Sequence, residues 1–302
     1  MFSLSSEERC GHLVTEDMKK LWATQMQLLK ELQRICKKHN IKYYAIEGTL
    51  LGAVRHNGYI PWDDDIDVGM PVKDFDKFCK VVKKELPSYY EFQHFTTQDG
   101  INVGISRIRD SRTTCCTKYE YELLADSKEY NCGVFIDIFP LFGAGSNKIE
   151  RKIQSLFSKT ITKGVYGYLN ERKKNLSMEY SESYLNTWLR LKKLFNYKQL
   201  AQMRFNILKM FPFSRKIGMI GFYGYDYKYI WDKKWFEEII DLPFEDTTIS
   251  CPKEYHKLLT KRYGDYNVFV KGTAVHSYVI VDTETPYPEK LKEHYLEMQA
   301  KA

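Results

Sequence analysis

Asp63, Asp65 and Asp67 stand two residues apart in the run Pro61-Trp62-Asp63-Asp64-Asp65-Ile66-Asp67-Val68. On an extended chain side chains alternate, so these three carboxylates share one face while Asp64, Ile66 and Val68 share the other. Like charges so placed repel. At about 4 Å two unit charges interact by about 1 kcal/mol in water, and by more in a shielded cleft. A hard divalent cation removes that cost, and Mg²⁺ binds through a few carboxylates together with substrate phosphate oxygens. A solvated acidic turn is the plainer reading of a charge run, but Trp62 beside it and Ile66 and Val68 within it weigh against that. A calcium loop of the EF-hand type does not fit. That pattern wants Gly at the sixth position and Glu at the twelfth, and counting from Asp63 those positions hold Val68 and Asp74.

A further carboxylate, Asp137, interrupts the apolar stretch Val134-Phe135-Ile136-Asp137-Ile138-Phe139. A lone charge there needs a partner or a metal. A salt bridge at a strand end would serve. With Asp65 and Asp67 available, the expectation is a third metal ligand on an adjacent strand. Upstream, Glu47-Gly48-Thr49-Leu50-Leu51-Gly52-Ala53-Val54-Arg55 follows a predicted strand and opens a helix. Gly48 lets the backbone approach a phosphate, the helix start offers free N–H groups, and Thr49 adds a hydroxyl. The spacing is neither that of a dinucleotide fingerprint nor that of a P-loop. Arg55, Arg107 and Arg109 are the basic residues expected to line the same cleft. Arg107 and Arg109 share one face of a predicted strand and suit bidentate phosphate recognition, with surface ion pairing as the competing reading. His56 and His276 are further acid–base candidates.

The elements that must position these groups are legible. Asp17 to His39 reads as an amphipathic helix stopped at Asn40, Ile41 to Ile46 as a strand, and Lys73 to Leu86 as a second helix ended by Pro87. Leu50 to Arg55 reads as a short helix that Thr49 could cap. Tyr90 to Phe95, Val103 to Arg109 and Val134 to Phe139 read as further strands. Helices flanking a small mixed sheet make the expected class α+β. Three regions follow: a catalytic core over 1–148, a basic helical insertion over 149–230, and a C-terminal part, 231–302, that completes the core.

Composition bounds the setting. The chain has 302 residues, 46 Lys and Arg against 39 Asp and Glu, and a formal charge of +7. That balance suits an anionic substrate, membrane surface or nucleic acid without choosing among them. The seven cysteines are odd in number and form no CxxC pair, which speaks against a zinc ribbon and for reduced thiols. There is no signal-peptide pattern at the N-terminus and no apolar run of the roughly 18–20 residues a membrane span needs. The expected location is the cytoplasm, including the inner face of the membrane, where the Lys-rich helical region could make peripheral contact with a lipid-linked acceptor. An ordinary helix-packing role is the alternative. A nucleic-acid partner is not expected, because the basic residues accompany no reading motif.

Together, Tyr44-Ala45-Ile46-Glu47-Gly48-Thr49-Leu50-Leu51-Gly52-Ala53-Val54-Arg55-His56 and Gly58-Tyr59-Ile60-Pro61-Trp62-Asp63-Asp64-Asp65-Ile66-Asp67-Val68 closely resemble the LicD family of phosphorylcholine transferases and fukutin relatives. Phe135-Ile136-Asp137-Ile138-Phe139-Pro140-Leu141 and Tyr263-Gly264-Asp265-Tyr266 resemble its later motifs. The resemblance implies a nucleotidyltransferase-like core in which Gly48 and Thr49 form the substrate turn and Asp65, Asp67 and Asp137 are catalytic metal ligands. Asp63 is an additional or water-mediated ligand in that scheme. It implies Mg²⁺, with Mn²⁺ as the alternative, and transfer of phosphorylcholine from CDP-choline to a sugar hydroxyl of a surface glycan (teichoic acid, lipopolysaccharide or capsule), releasing CMP. Ribitol or glycerol phosphate donors, plain nucleotidyl transfer and a noncatalytic nucleotide-binding relative are the competing readings. Two departures stand out: Phe142 follows Pro-Leu where the family often has an acidic residue, and Asn267-Val268-Phe269 follows Tyr266.

Overall fold

Thr15 accepts a hydrogen bond from the Met18 amide at 3.3 Å and so starts the long helix that the apolar spacing predicts. In the computed structural model, which describes residues 2–118, 120–121, 130–172, 182–271 and 278–301, a short hairpin of β1 (Glu7–Arg9) and β2 (His12–Val14) precedes this helix, α1 (Glu16–His39). Trp22, Leu28, Leu29, Leu32 and Ile35 lie on its buried side. Asn40, in the left-handed region at φ 50°, ends it.

The chain then builds the sheet that carries the site. β3 (Tyr44–Ala45), α2 (Glu47–His56), β4 (Asp67–Pro71) and α3 (Val72–Glu85) follow in order, then β5 (Tyr90–Gln93), β6 (Ser106–Asp110), β7 (Thr114–Thr117) and β8 (Val134–Ala144). β8 is the spine. It is buried along almost its whole length, the continuous apolar pattern of a central strand, and a single carboxylate interrupts it. One edge pairs in parallel with β4 over Asp137 to Leu141. The other edge pairs antiparallel with β6 through Val134 to Ile138, then with β9 (Lys216–Gly218) through Phe142 to Ala144. With β3, β5 and β10 (Ile230–Asp232) this makes a mixed seven-stranded sheet. Helices α1 and α3 touch each other and both pack on β8. The protein is therefore α+β.

Beyond β8 come α4 (Lys148–Arg172), α5 (Glu182–Leu191) and α6 (Tyr197–Leu208). α4 packs on both α5 and α6, and α4 and α6 also rest on β8. The segment read from sequence as a helical insertion also contributes β9 to the main sheet. The remainder holds the hairpin β11 (Ile239–Phe244) and β12 (Thr247–Pro252), α7 (Tyr255–Tyr263), β13 (Tyr278–Asp282), which pairs with β7, and α8 (Tyr287–Lys301). No described helix is long and apolar enough to cross a membrane.

Two local expectations change. The acidic run is extended strand only from Asp67 onward; residues 63–66 form an irregular loop. α2 starts earlier than predicted, at Glu47 with Ile46 as its cap residue, so Thr49 lies inside the first turn and does not cap it.

Candidate active site

The irregular acidic loop still presents alternate residues to opposite sides. Asp64, Ile66 and Val68 are buried, while Asp63, Asp65 and Asp67 line a cavity of about 540 Å³. Helix α1 fixes the loop through its backbone. Trp22 Nε1 donates to the Asp63 carbonyl at 2.9 Å and Gln25 Nε2 to the Asp64 carbonyl at 2.7 Å. Tyr59 stacks on Trp22, ring centroids 4.4 Å apart, and its hydroxyl donates to Gln25 Oε1. The loop is thus held by buried groups of α1, and at its end by the Asp137 amide of β8, which donates to the Ile66 carbonyl at 2.8 Å.

Sheet register completes the cluster. Asp67 on β4 and Asp137 on β8 are direct partners in the parallel ladder, and Arg107 on β6 is the antiparallel partner of Asp137. One carboxylate oxygen each from Asp65, Asp67 and Asp137 lie within 4.8 Å of one another. Asp63, Asp64 and Asp65 form a second such triple. Burial, then the neighbouring charges of Asp65 and Asp137, push the Asp67 carboxyl well above the usual range. Burial and Asp64 raise Asp63 to about 6. Hard oxygen donors crowded together at an energetic cost are a fitting cradle for a divalent cation.

The glycine turn braces this row. Thr49 Oγ1 accepts the Asp67 amide at 2.7 Å, and the Ile46 amide donates to the Asp67 carbonyl at 3.2 Å. Gly48 lines the cavity, and a Cβ there would sit 2.4 Å from Asp63 Oδ2. Only glycine lets the Asp63 carboxylate rest against the start of α2, whose free amides and positive end favour it. Glu47, at φ 47°, occupies the left-handed region that side chains seldom adopt. Its carboxylate is buried and takes Arg262 Nε at 2.7 Å. Burial raises the Glu47 carboxyl against the opposing pull of Arg262.

The arginines divide. Arg55 lines the cavity: its Nη1 donates to the Tyr266 carbonyl at 2.8 Å, and its Nε has no partner among the described residues. Arg107 donates from Nε to Asp137 Oδ1 at 2.7 Å and from Nη1 to Glu120. Arg109 is fully buried and outside the cavity wall; it bonds Glu120, Gln93 and the Gly133 carbonyl. The two do share a face, as predicted, but that face meets the Glu120 carboxylate. Burial raises the Glu120 carboxyl, and Arg109 and Arg107 outweigh it, leaving the group below the usual range. His56 lies outside the cavity wall, lowered to about 4 by burial, with Arg55 and Arg9 adding to the effect. His276 falls outside the described residues.

Three features escaped the sequence reading. Glu47 stands within one quoted motif and Arg262 immediately before another, yet only the fold brings α2 and α7 together. Glu120 follows β7 in a stretch without periodicity. The aromatic wall formed by Trp62, Phe139, Phe222, Tyr223, Tyr263 and Tyr266 gathers rings from four separate segments.

Residues 40–185 match the family described as the LicD/FKTN/FKRP nucleotidyltransferase domain. Over this stretch, just short of half of its length, the chain is similar to that family. The chain is 29% identical over 266 residues to the lipopolysaccharide cholinephosphotransferase LicD of Haemophilus influenzae, an alignment covering 82% of this chain and 92% of that protein. It is also 29% identical over 73 residues to the human ribitol 5-phosphate transferase FKRP, covering 24% of this chain and 15% of that one. An uncharacterized Rickettsia typhi protein matches at 43% over 68 residues, 22% of each chain.

Proposed function

We propose that this chain is a phosphotransferase with a nucleotidyltransferase-like core that moves phosphorylcholine from CDP-choline to a sugar hydroxyl of a cell-surface glycan, releasing CMP. The observation that carries the reading is the convergence of the Asp65, Asp67 and Asp137 oxygens within 4.8 Å on the wall of an open cavity. Kinship with a lipopolysaccharide cholinephosphotransferase over 82% of the chain supports the headgroup and acceptor class.

In this reading Asp65, Asp67 and Asp137, with Asp63 beside them, hold Mg²⁺, which supplies charge neutralisation to the donor phosphates. Gly48 and the first turn of α2 receive a phosphate oxygen, and Arg55 offsets charge on the leaving CMP. Phosphoryl transfer needs positioning and charge stabilisation more than covalent help. The acceptor oxygen attacks phosphorus, the bond to the CMP oxygen breaks, and the hydroxyl proton passes to a carboxylate. Asp137 takes it through Oδ2 when that oxygen is not engaged with the ion, its Oδ1 being held by Arg107. The choline ammonium is held by faces of the cavity's aromatic rings, as quaternary cations are. Arg107 and Arg109 serve as positioning residues through Glu120. The acceptor is lipid-linked and met at the inner membrane face.

The match to a ribitol 5-phosphate transferase spans only 24% of the chain, but keeps a second phospho-alcohol donor in view. Purified protein with Mg²⁺ and a panel of CDP-alcohols decides between them by CMP release and by which headgroup appears on the glycan. CMP release with CDP-choline alone supports the proposal; release of free phosphorylcholine with CMP left on the acceptor, or no release with any donor, refutes it.

A further inference from the structure

We infer that helix α4 and the loop carrying Phe213 form a docking face for an anionic bilayer. The first turns of α4 expose Ile149, Ile153, Leu156 and Phe157, with fractional exposures of 73, 42, 67 and 56%. Their spacing of four, three and one places them in a single stripe at 100° per residue. Lys148, Lys152, Lys159 and Lys163 recur at spacings of four, seven and four along one margin of that stripe. Lys148, Lys152 and Lys159 are exposed and make no ion pair among the described residues. From Lys148 to Lys163 the helix carries five cationic residues against Glu150 alone.

A second element extends the patch. Phe213 is 88% exposed, far beyond what a core or a packed loop requires. Its neighbour Ser214 bonds Ser146 just ahead of α4, Oγ to Oγ at 3.1 Å, which ties the Phe213 loop to the end of the helix where the exposed stripe begins. Exposed Arg215 follows it, and the Lys73 ammonium lies 5.6 Å from the ring centroid.

An apolar stripe with a lysine margin and an adjacent exposed aromatic is the composition of a helix lying in the plane of a membrane interface, apolar side in the acyl boundary and cations at anionic headgroups. Charge favours this occupant over a second copy of the chain, because self-association would bring like charge onto a protein already at +7. The inference deepens the reading of a lipid-linked acceptor by naming the surface that faces the lipid. Docking itself needs neither donor nor acceptor.

The test is co-sedimentation of the full chain with vesicles of phosphatidylcholine alone and of phosphatidylcholine mixed with phosphatidylglycerol. Binding to the anionic vesicles, weakened by salt, is expected. Combined Leu156→Ser, Phe157→Ser and Phe213→Ser should weaken it at least about tenfold. Combined Lys148→Gln, Lys152→Gln and Lys159→Gln should weaken it on the order of a hundredfold, on the anionic vesicles only. Unaltered binding in the apolar variant, no binding by the parent chain, or a dimer that this variant dissolves would each overturn the inference. CMP release from CDP-choline with a soluble acceptor should be unchanged in both variants. A chain that docks yet never releases CMP would refute the catalytic proposal and leave this one standing.

Discussion

Asp67 and Asp137 are direct register partners across the parallel pair β4–β8, so two carboxylates face each other at one level of the sheet. Arg107 takes the next place in the same row, on the far side of Asp137. One cation thus offsets part of the repulsion, and a divalent ion would offset the rest.

Asp67→Asn should abolish transfer and yet stabilise the metal-free protein at neutral pH. The Asp67 carboxyl is raised by burial and by Asp65 and Asp137, so the folded state retains a proton that the unfolded state releases. Such a group costs stability as pH rises through its folded value. Asp63 acts in the same sense between its ordinary 3.8 and about 6. Calorimetry with and without Mg²⁺ checks this: the variant should melt higher than wild type without the ion and gain less from it. A lower metal-free melting temperature would sink the idea.

Glu120→Gln should cost about 3 kcal/mol or more, because it leaves Arg109 and Arg107 buried without their shared carboxylate. Urea denaturation gives the difference directly. A loss below about 1 kcal/mol would mean that the guanidiniums are satisfied elsewhere.

Thr49→Val removes the acceptor of the Asp67 amide while keeping the side-chain shape. A loss of about 1 kcal/mol is expected, with weaker divalent-ion binding by calorimetric titration. Thr49→Ser should restore both; equal ion affinity in Val and Ser variants would contradict the bracing role.

His94 is buried and lowered to about 4 by that burial. Its unfolded form takes a proton near 6.5, so the folded protein loses stability as pH falls from about 6.5 toward 4, by up to about 3 kcal/mol. Phe92 and Phe95 flank the ring, which makes His94→Phe a fitting replacement. Melting curves over this pH range should fall less steeply for the variant, and parallel curves would argue against the effect.

Sequence pattern revealed what repeats or alternates. The period of α1, the run of β8 and the two-residue spacing of Asp63, Asp65 and Asp67 all survive in the fold, even though residues 63–66 are no strand. What it hid depends on partners distant along the chain. Arg109 looks like a phosphate ligand until Glu120 and Gln93 enclose it. Thr49 looks like a helix cap until β4 supplies the amide it accepts. The aromatic wall has no local signature, because its rings come from loops, β8 and α7.

β8 runs on for seven residues past Asp137 and ends at Ala144, just before α4 begins at Lys148. At roughly 3.3 Å per residue that is a span of about 23 Å, bonded along its length to neighbouring strands. A rod so clamped has little slack. A bilayer gripping its far end would therefore aim the catalytic row at a fixed height and tilt above the lipid, selecting by reach which sugar along a tethered chain meets the donor.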